Sequence, residues 1–145
     1  NEVLEFLCDA FDAEGDETES NGQPFVFRPN PPRPKIWIGG GAPPALERAT
    51  RFGEGWMPMA DDPEKLKAPA SELRQRFEDA GRGRPEIAAF GAIGHGDAGE
   101  ELDRLEALEE LGVTEYIQGA RYDDLDGFLR SLDPLLSRIE FYERR

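Results

Sequence analysis

The sequence predicts an α/β fold in which four strands alternate with four helices. Each of four short apolar runs is followed by a segment with the hydrophobic spacing of a helix. Glycine closes three of these four helical segments, as is common at helix C-termini. Consecutive strand–helix units join parallel strands through right-handed crossovers, so the strands should form one parallel sheet. The predicted strands are 36–38, 56–59, 87–93 and 113–118.

The first 34 residues precede this regular pattern. Residues 1–12 have the spacing of an amphipathic helix, which the chain enters near its middle. Residues 13–34 form an acidic and proline-rich excursion. Its Asn-Gly pair at 21–22 predicts a hairpin between residues 17–20 and 25–27. We expect this excursion to be a surface segment that packs back through its aromatic side chains.

The four helices should cover the sheet. They are predicted at 43–52, 63–80, 98–111 and 123–139. Capping signals precede the last three: Asp62 with Pro63, Asp97 with Glu100, and Asp123 with Asp126. Pro134 predicts a kink or a break in the last helix. The chain thus divides into four strand–helix units at 35–139 and a tail at 140–145.

Four units are half of an eight-unit barrel, which typically needs about 250 residues. Alone, they would leave two unpaired strand edges. Three arrangements would account for these four units: a missing half, the pairing of two copies, or a small open sheet. A missing half is favoured. The chain begins at Asn1 and enters a helix directly, so we expect it to be a fragment or a processed product.

Composition excludes several classes of function. The formal charge is −14, from 31 acidic and 17 basic residues, which argues against nucleic acid and anionic membranes as partners. Cys8 is the single cysteine and should be a small apolar side chain on a helix face. His95 is the single histidine, which argues against a metal site and a self-contained catalytic triad. No apolar run approaches the roughly 20 residues of a membrane span.

The turn between the first strand and the first helix of the units is the strongest chemical signal. Gly39, Gly40, Gly41 and Ala42 lack bulky side chains, so backbone N–H groups can approach a ligand closely. A helix begins directly afterwards at two prolines, and helix N-termini favour anions. This pattern predicts a phosphate-binding turn. A purely structural tight turn is the alternative.

Three segments together resemble one protein family. They are Pro-x-Ile-Trp-Ile-Gly-Gly at 34–40, Gly-Glu-Gly-Trp-Met-Pro at 53–58 and Leu-Gly-Val-x-x-Tyr-Ile at 111–117. In this order and spacing, the chain resembles the C-terminal half of the luciferase-like monooxygenases. The branch that uses a deazaflavin coenzyme is the most similar. The resemblance extends over residues 2–139.

The resemblance implies a fold, a coenzyme and a location. The fold would be an eight-stranded TIM (β/α)8 barrel, of which this chain supplies units five to eight. The coenzyme would be FMN or the 8-hydroxy-5-deazaflavin coenzyme (F-420), with its phosphate near Gly39, Gly40, Gly41 and Ala42. The protein would be a cytoplasmic flavin-dependent oxidoreductase acting on a small-molecule substrate.

Three further residues are candidates for the substrate pocket, since catalytic groups of such barrels lie at the carboxyl ends of strands. Met59 ends the second strand of the units, His95 follows the third and Arg121 follows the fourth. The competing interpretations are core packing for Met59, a solvent-exposed loop for His95, and an ion pair with Asp123 or Asp124 for Arg121. The catalytic base stays unknown, because the resemblance assigns much of the ring site to the other four units.

Three functions are therefore open. The first is the C-terminal part of a flavin-dependent oxidoreductase or monooxygenase, completed by a missing N-terminal half or a second copy. The second is a non-catalytic half-barrel that oligomerises and binds a phosphorylated ligand. The third is another phosphate-binding α/β enzyme. In the first case the isolated chain should be inactive, because half a barrel mouth cannot enclose the ring of a flavin.

Overall fold

The computed structural model describes residues 1–13, 15, 17–29 and 31–144. Glu14, Asp16 and Asn30 of the predicted excursion, and Arg145 of the predicted tail, lie outside the described residues. The chain begins with helix α1, Glu2–Asp12, as its hydrophobic spacing predicts. Cys8 lies half-buried on this helix, with its thiol 3.8 Å from the carbonyl oxygen of Phe52.

A two-stranded antiparallel hairpin follows α1. Strand β1, Glu17–Ser20, pairs with strand β2, Gln23–Val26, across the turn formed by Asn21 and Gly22. Both turn residues have positive φ angles, 52° and 74°, as such two-residue turns require. The second strand begins two residues earlier than predicted. Ring contacts Phe6–Phe25 and Phe11–Phe27 hold the hairpin against α1, so the excursion packs back as predicted.

The main body is a parallel sheet that alternates with helices. Its strands follow one another in chain order, β3-β4-β5-β6. The strands are β3 (Trp37–Gly39), β4 (Gly55–Met57), β5 (Glu86–Gly91) and β6 (Glu115–Gln118). The helices are α2 (Pro44–Phe52), α3 (Pro63–Asp79), α4 (Ala98–Glu110) and α5 (Leu125–Glu143). The four predicted strand–helix units are thus confirmed, whereas their completion into a barrel stays a prediction.

The hydrophobic core lies between the sheet and the helices. Strands β3, β4 and β5 contribute Ile38, Trp56 and Ile87, and the helices supply aliphatic side chains that are fully buried. The largest fully buried side chains are Leu46, Leu73, Ile87 and Leu108. Truncating one such leucine to alanine typically costs about 2–5 kcal/mol. This core fixes the carboxyl ends of the strands relative to the helices that follow them.

Helix capping follows the prediction for α3 and α4 and departs from it for α5. Asp62 accepts a hydrogen bond from the Glu64 N–H, and Asp97 accepts bonds from two N–H groups of α4. In α5 the cap is Asp124, which accepts the Gly127 N–H at 2.6 Å. The prediction that Asp123 and Asp126 cap this helix was therefore wrong by one residue, because the chain turns into the helix at Asp124.

Helix α5 differs from its prediction in two further ways. It runs unbroken through Pro134 and on to Glu143, so the predicted break is wrong, whereas the alternative, a kink, stays a prediction. A proline removes one backbone hydrogen bond from the helix. The other hydrogen bonds of this 19-residue helix are sufficient to keep it continuous. Within Leu125–Glu143, all of which the structure describes, no side chain is buried. The predicted apolar stripe is largely exposed, with Leu125 69% and Leu136 55% accessible.

Over the residues that the structure describes, no helix combines the length and apolarity needed to cross a membrane.

Candidate functional site

Two adjacent cavities lie at the carboxyl ends of the strands. The first, here called the strand-end cavity, has a volume of about 650 Å³. The second, the glycine-turn cavity, has a volume of about 520 Å³ and is lined by Gly40, Gly41 and Ala42. Met59 and Ala60 line both cavities. The two cavities therefore adjoin at these two residues.

The glycine turn is anchored to the neighbouring strand. Trp56 of β4, only 2% accessible, donates a hydrogen bond from Nε1 to the Gly40 carbonyl oxygen at 2.7 Å. The Gly40 N–H points to the Met57 carbonyl oxygen at 3.4 Å. Gly40 has a φ of +116°, a conformation that other residues rarely adopt. The turn is thus held in place by β4 and depends on glycine at this position.

The turn offers a small number of free donors. Pro43 and Pro44 have no N–H, and the next three N–H groups bond to Gly41 and Pro43 carbonyl oxygens at 3.0–3.3 Å. Among the described residues, the N–H groups of Gly41 and Ala42 have no partner. An anion at this turn would therefore bind mainly to these two N–H groups. The start of α2 contributes the positive end of its helix dipole, but it offers few further N–H donors.

Arg48 supplies a positive charge beside the turn. It lies one helical turn after Pro44, and helical side chains lean toward the helix N-terminus. Its Nη2 atom is 3.9 Å from the position that a Cβ atom on Gly40 would occupy. Its Nε atom is buried, and Arg48 has no hydrogen-bond or ion-pair partner within the described part of the chain. An unpaired guanidinium beside Gly40 of the glycine turn can pair with a phosphate.

Lys65 is a second cation at the glycine-turn cavity. Its ammonium lies 2.9 Å from a carboxylate oxygen of Asp62, on the surface of the protein. The hydrogen bond between them raises the pKa of Lys65 and lowers the pKa of Asp62. Because Asp62 already neutralises Lys65, Arg48 is the stronger candidate for an anion.

The strand-end cavity brings together the three residues that the sequence suggested. Met59 is 60% accessible and therefore is not part of the core, unlike its neighbour Trp56. His95 lies in the loop between β5 and α4, and Arg121 follows β6. Within the residues described, Arg121 forms no ion pair, so the expected alternative with Asp123 or Asp124 is not observed. All three side chains line one cavity, and their roles in binding stay predictions.

Asp61 also lines this cavity and has no counterpart among the predicted residues. Its Oδ2 atom accepts a hydrogen bond from the Tyr116 hydroxyl at 2.7 Å and lies 3.2 Å from Nη1 of Arg104. Burial, together with the hydrogen bond to Asp61, raises the pKa of Tyr116 well above its usual range, so the phenol stays protonated. Oδ1 of Asp61 accepts no hydrogen bond from the described residues, so it is available to a ligand donor.

Glu101 determines the position of the loop that carries His95. It is only 7% accessible and accepts hydrogen bonds from the N–H groups of Gly94, His95 and Gly96. Burial alone would raise the pKa of Glu101, but these N–H groups and the charge of Arg138 outweigh it and hold the pKa below its usual range. The sequence indicated only the start of a helix at Glu101. Which side chain the loop encloses depends on the path of the loop, and the sequence pattern does not show that path.

Over the described ranges, no group of three or more His, Cys, Asp or Glu side chains is placed to hold an ion.

A parallel α/β sheet with cavities at its strand ends defines a class of ligand-binding proteins and enzymes whose chemistry lies at that edge. The family model of the luciferase-like monooxygenases matches residues 2–123, and the chain belongs to this family. The resemblance carried by the three sequence segments is thus confirmed. Members of this family are flavin-dependent oxidoreductases and typically use flavin-type coenzymes. No curated protein matches the chain.

Proposed function

We propose that this chain forms part of a flavin-dependent oxidoreductase, in which the glycine turn binds the coenzyme phosphate. The strand-end cavity then receives the ring edge or the substrate. The observation that carries the proposal is that the glycine-turn cavity and the strand-end cavity share Met59 and Ala60 in their walls. An anion site beside a partly apolar cavity matches a coenzyme with a phosphate at one end and a flat ring at the other.

FMN and the deazaflavin coenzyme both carry a phosphate, and the residues at the turn fit this group. The N–H groups of Gly41 and Ala42 would donate to it, and Arg48 would neutralise its charge. When bound, either coenzyme would supply hydride transfer, and reduced FMN would also supply oxygen chemistry. The choice between them, and between monooxygenase and reductase or dehydrogenase activity, stays open.

The chain's own side chains would then bind and orient the ring or substrate. Met59 and Phe90 provide apolar contacts for the ring or the substrate. Arg121 offers an unpaired cation for a substrate anion or coenzyme tail, and Asp61 offers a free acceptor oxygen. His95 offers imidazole nitrogens that can donate or accept a hydrogen bond at the cavity. None of these residues is assigned as the catalytic base.

Further strand–helix units would complete the site. Within the described residues, β3 and β6 each pair with a strand on one side only. Four units from a missing N-terminal half would close the sheet into a TIM barrel and enclose the ring. We therefore expect a cytoplasmic enzyme that acts as the complete barrel, and an isolated 145-residue chain without turnover.

The phosphate assignment is tested by Gly41→Val. A Cβ on Gly41 meets no atom within 4 Å, and its φ is not positive, so the variant should fold normally. The new side chain would occupy the space next to the free N–H groups. We expect it to abolish binding of reduced FMN and of the reduced deazaflavin coenzyme, measured by anaerobic fluorescence titration.

Gly83→Val is the matched control for this experiment. Gly83 is equally free of close neighbours and lies in the loop before β5, away from the strand ends. This variant should bind both coenzymes as the unmodified chain does. Unchanged affinity in Gly41→Val would contradict the phosphate assignment.

The exposed apolar side chains of α5 favour a second function, a non-catalytic half-barrel that oligomerises and binds a phosphorylated ligand. This function predicts a stable dimer that binds FMN and inorganic phosphate at the glycine turn, with no preference for the reduced ring. Sedimentation velocity and titration with both ligands distinguish it from the oxidoreductase. A monomer that binds reduced FMN far more tightly than phosphate would contradict it.

A further inference from the structure

We propose that Glu101 and Arg138 form a positioning pair that fixes His95 at the strand-end cavity and makes helix α5 a part of the site. The inference rests on the proposed function only for the identity of what the cavity binds. The pair is made of side chains from two helices that do not line the strand-end cavity themselves. It acts through the loop of Gly94, His95 and Gly96, here called the His95 loop.

One carboxylate satisfies every N–H of the His95 loop. The Gly94 N–H lies 3.1 and 3.0 Å from the two oxygens of Glu101, the His95 N–H 3.2 Å from Oε1, and the Gly96 N–H 2.9 Å from Oε1. Three successive N–H groups that converge on one anion form a nest, which restricts the backbone of all three residues. The loop would otherwise be adaptable, because glycine flanks His95 on both sides.

Arg138 of α5 closes the arrangement. Its Nε atom lies 2.8 Å from Oε2 of Glu101, and its Nη2 donates a hydrogen bond to the Gly96 carbonyl oxygen at 2.6 Å. The guanidinium therefore contacts both the carboxylate and the loop that the carboxylate holds. A planar cation with several donors can do this, whereas a single ammonium group cannot satisfy both partners in the same way.

Pro134 gives α5 a second contact with the loop. Gly94 has a φ of +93°, and a Cβ on it would lie 3.0 Å from the backbone of Pro134. Pro134 and Arg138 are four residues apart and so share one face of the helix. The face of α5 that touches the His95 loop is thus defined by these two residues. Five large apolar side chains of the same helix stay exposed, namely Leu125, Leu129, Leu136, Ile139 and Phe141.

The imidazole of His95 has no hydrogen bond to the described residues, although it lines the cavity. The imidazole therefore has its point of attachment fixed by the backbone of the loop, and Glu101 holds that backbone. Small displacements of a group that contacts the ligand reduce binding and catalysis strongly. A fixed loop therefore offsets the free-energy cost of burying the ion pair that holds it. Glu101 and Arg138 act through His95 and are positioning residues.

The test uses Glu101→Gln and Arg138→Lys in the whole chain. His95 is the single histidine, so imidazole NMR resonances report on this residue alone. Amide hydrogen exchange reports on the N–H groups of the His95 loop. In both variants we expect the exchange of these amides to accelerate by roughly tenfold or more, and the imidazole shifts to change. Arg138→Lys keeps the charge and therefore should remain folded even where Glu101→Gln does not.

Glu100→Gln and Arg144→Ala are the matched controls. Glu100 is the exposed neighbour of Glu101, and Arg144 pairs with Glu140 on the surface of the same helix. Both controls should retain the imidazole shifts and slow exchange of the unmodified chain. Unchanged loop exchange and imidazole shifts in folded Arg138→Lys would overturn the proposal, as would the same changes in the two controls.

Reduced FMN separates this inference from the proposed function. The loop measurements need no ligand, so they succeed or fail independently of coenzyme binding. Addition of reduced FMN to the unmodified chain should shift the imidazole resonances of His95, and the shift should shrink in Arg138→Lys. If the variants loosen the loop but FMN leaves His95 unchanged, the positioning pair stands and the coenzyme assignment fails.

Discussion

Helix geometry places the charge of Arg48 beside the glycine turn, although no sequence motif indicates it. The glycine turn has two free N–H groups, and these alone are a weak site in a chain whose formal charge is −14. Helical side chains lean toward the N-terminus, so the guanidinium of Arg48 reaches back to Gly40. Local geometry thus counteracts the repulsion that the whole molecule exerts on an anion.

The role of Arg48 is tested by Arg48→Gln. Hydrogen bonds to a charged group contribute about 1.5–3 kcal/mol, and each 1.4 kcal/mol is about tenfold in affinity. We expect the dissociation constant for reduced FMN to rise by about tenfold or more, measured by anaerobic fluorescence titration. Reduced riboflavin, which lacks the phosphate, should bind equally to both proteins. Arg76→Gln on α3, where the arginine pairs with Glu72, is the control variant.

An equal loss of affinity for riboflavin and FMN would contradict a phosphate contact by Arg48, since the phosphate is the only difference between them. Unchanged FMN binding would do the same.

Some site residues follow from the order of the sequence and others depend on packing. The glycine turn, Met59, His95 and Arg121 could be found because each follows a strand, and the carboxyl ends of parallel strands meet at one edge. Arg48, Asp61 and Glu101 could not be found in this way. Their roles depend on how a side chain leans or which loop encloses it, and sequence spacing does not encode either.

At the level of elements, α5 is where prediction and structure differ most. Its apolar spacing correctly indicated a helix, and its stripe incorrectly indicated burial against the sheet. Periodicity reports which residues share a face, whereas burial depends on what that face meets. Pro134 illustrates the same difference, because the residue predicted to break the helix instead packs beside the His95 loop.

The contact between α5 and the His95 loop should weaken in acid. The pKa of Glu101 is lowered in the folded protein, so its contribution to stability is fully present above its unfolded pKa of about 4.3. That contribution is lost as the pH falls through the lower folded pKa. Arg138 of α5 faces the carboxylate. Tyr142, whose pKa is raised by burial and by Glu101, stays neutral.

The free energy of unfolding measures this effect. It should be lower for Glu101→Gln than for the unmodified chain at pH 7, and the difference should shrink as the pH falls below about 4. Urea unfolding at a series of pH values gives both curves. Glu100→Gln should follow the unmodified chain at every pH, and parallel curves for Glu101→Gln would disprove the linkage.

At the scale of the whole molecule, both the parallel sheet and helix α5 leave surfaces uncovered. Within the described residues, β3 and β6 are open edges of a parallel sheet. Parallel sheets occur almost only where both faces are covered, and an unpaired strand edge can pair with another strand. The large exposed side chains of α5, including Leu125, Leu129 and Leu136, add an uncovered apolar face. The number and order of strands could be predicted, but what covers them could not.

Additional strand–helix units are the cover that we expect. Four units before β3 would pair with both open edges and reach the size of a barrel of about 250 residues. They would also supply the part of the ring site that this chain lacks. The polypeptide in its source should therefore have about twice the mass of this chain, which intact mass spectrometry with N-terminal sequencing measures. A product without such units would contradict this expectation, and sedimentation should then show two copies joined through these edges.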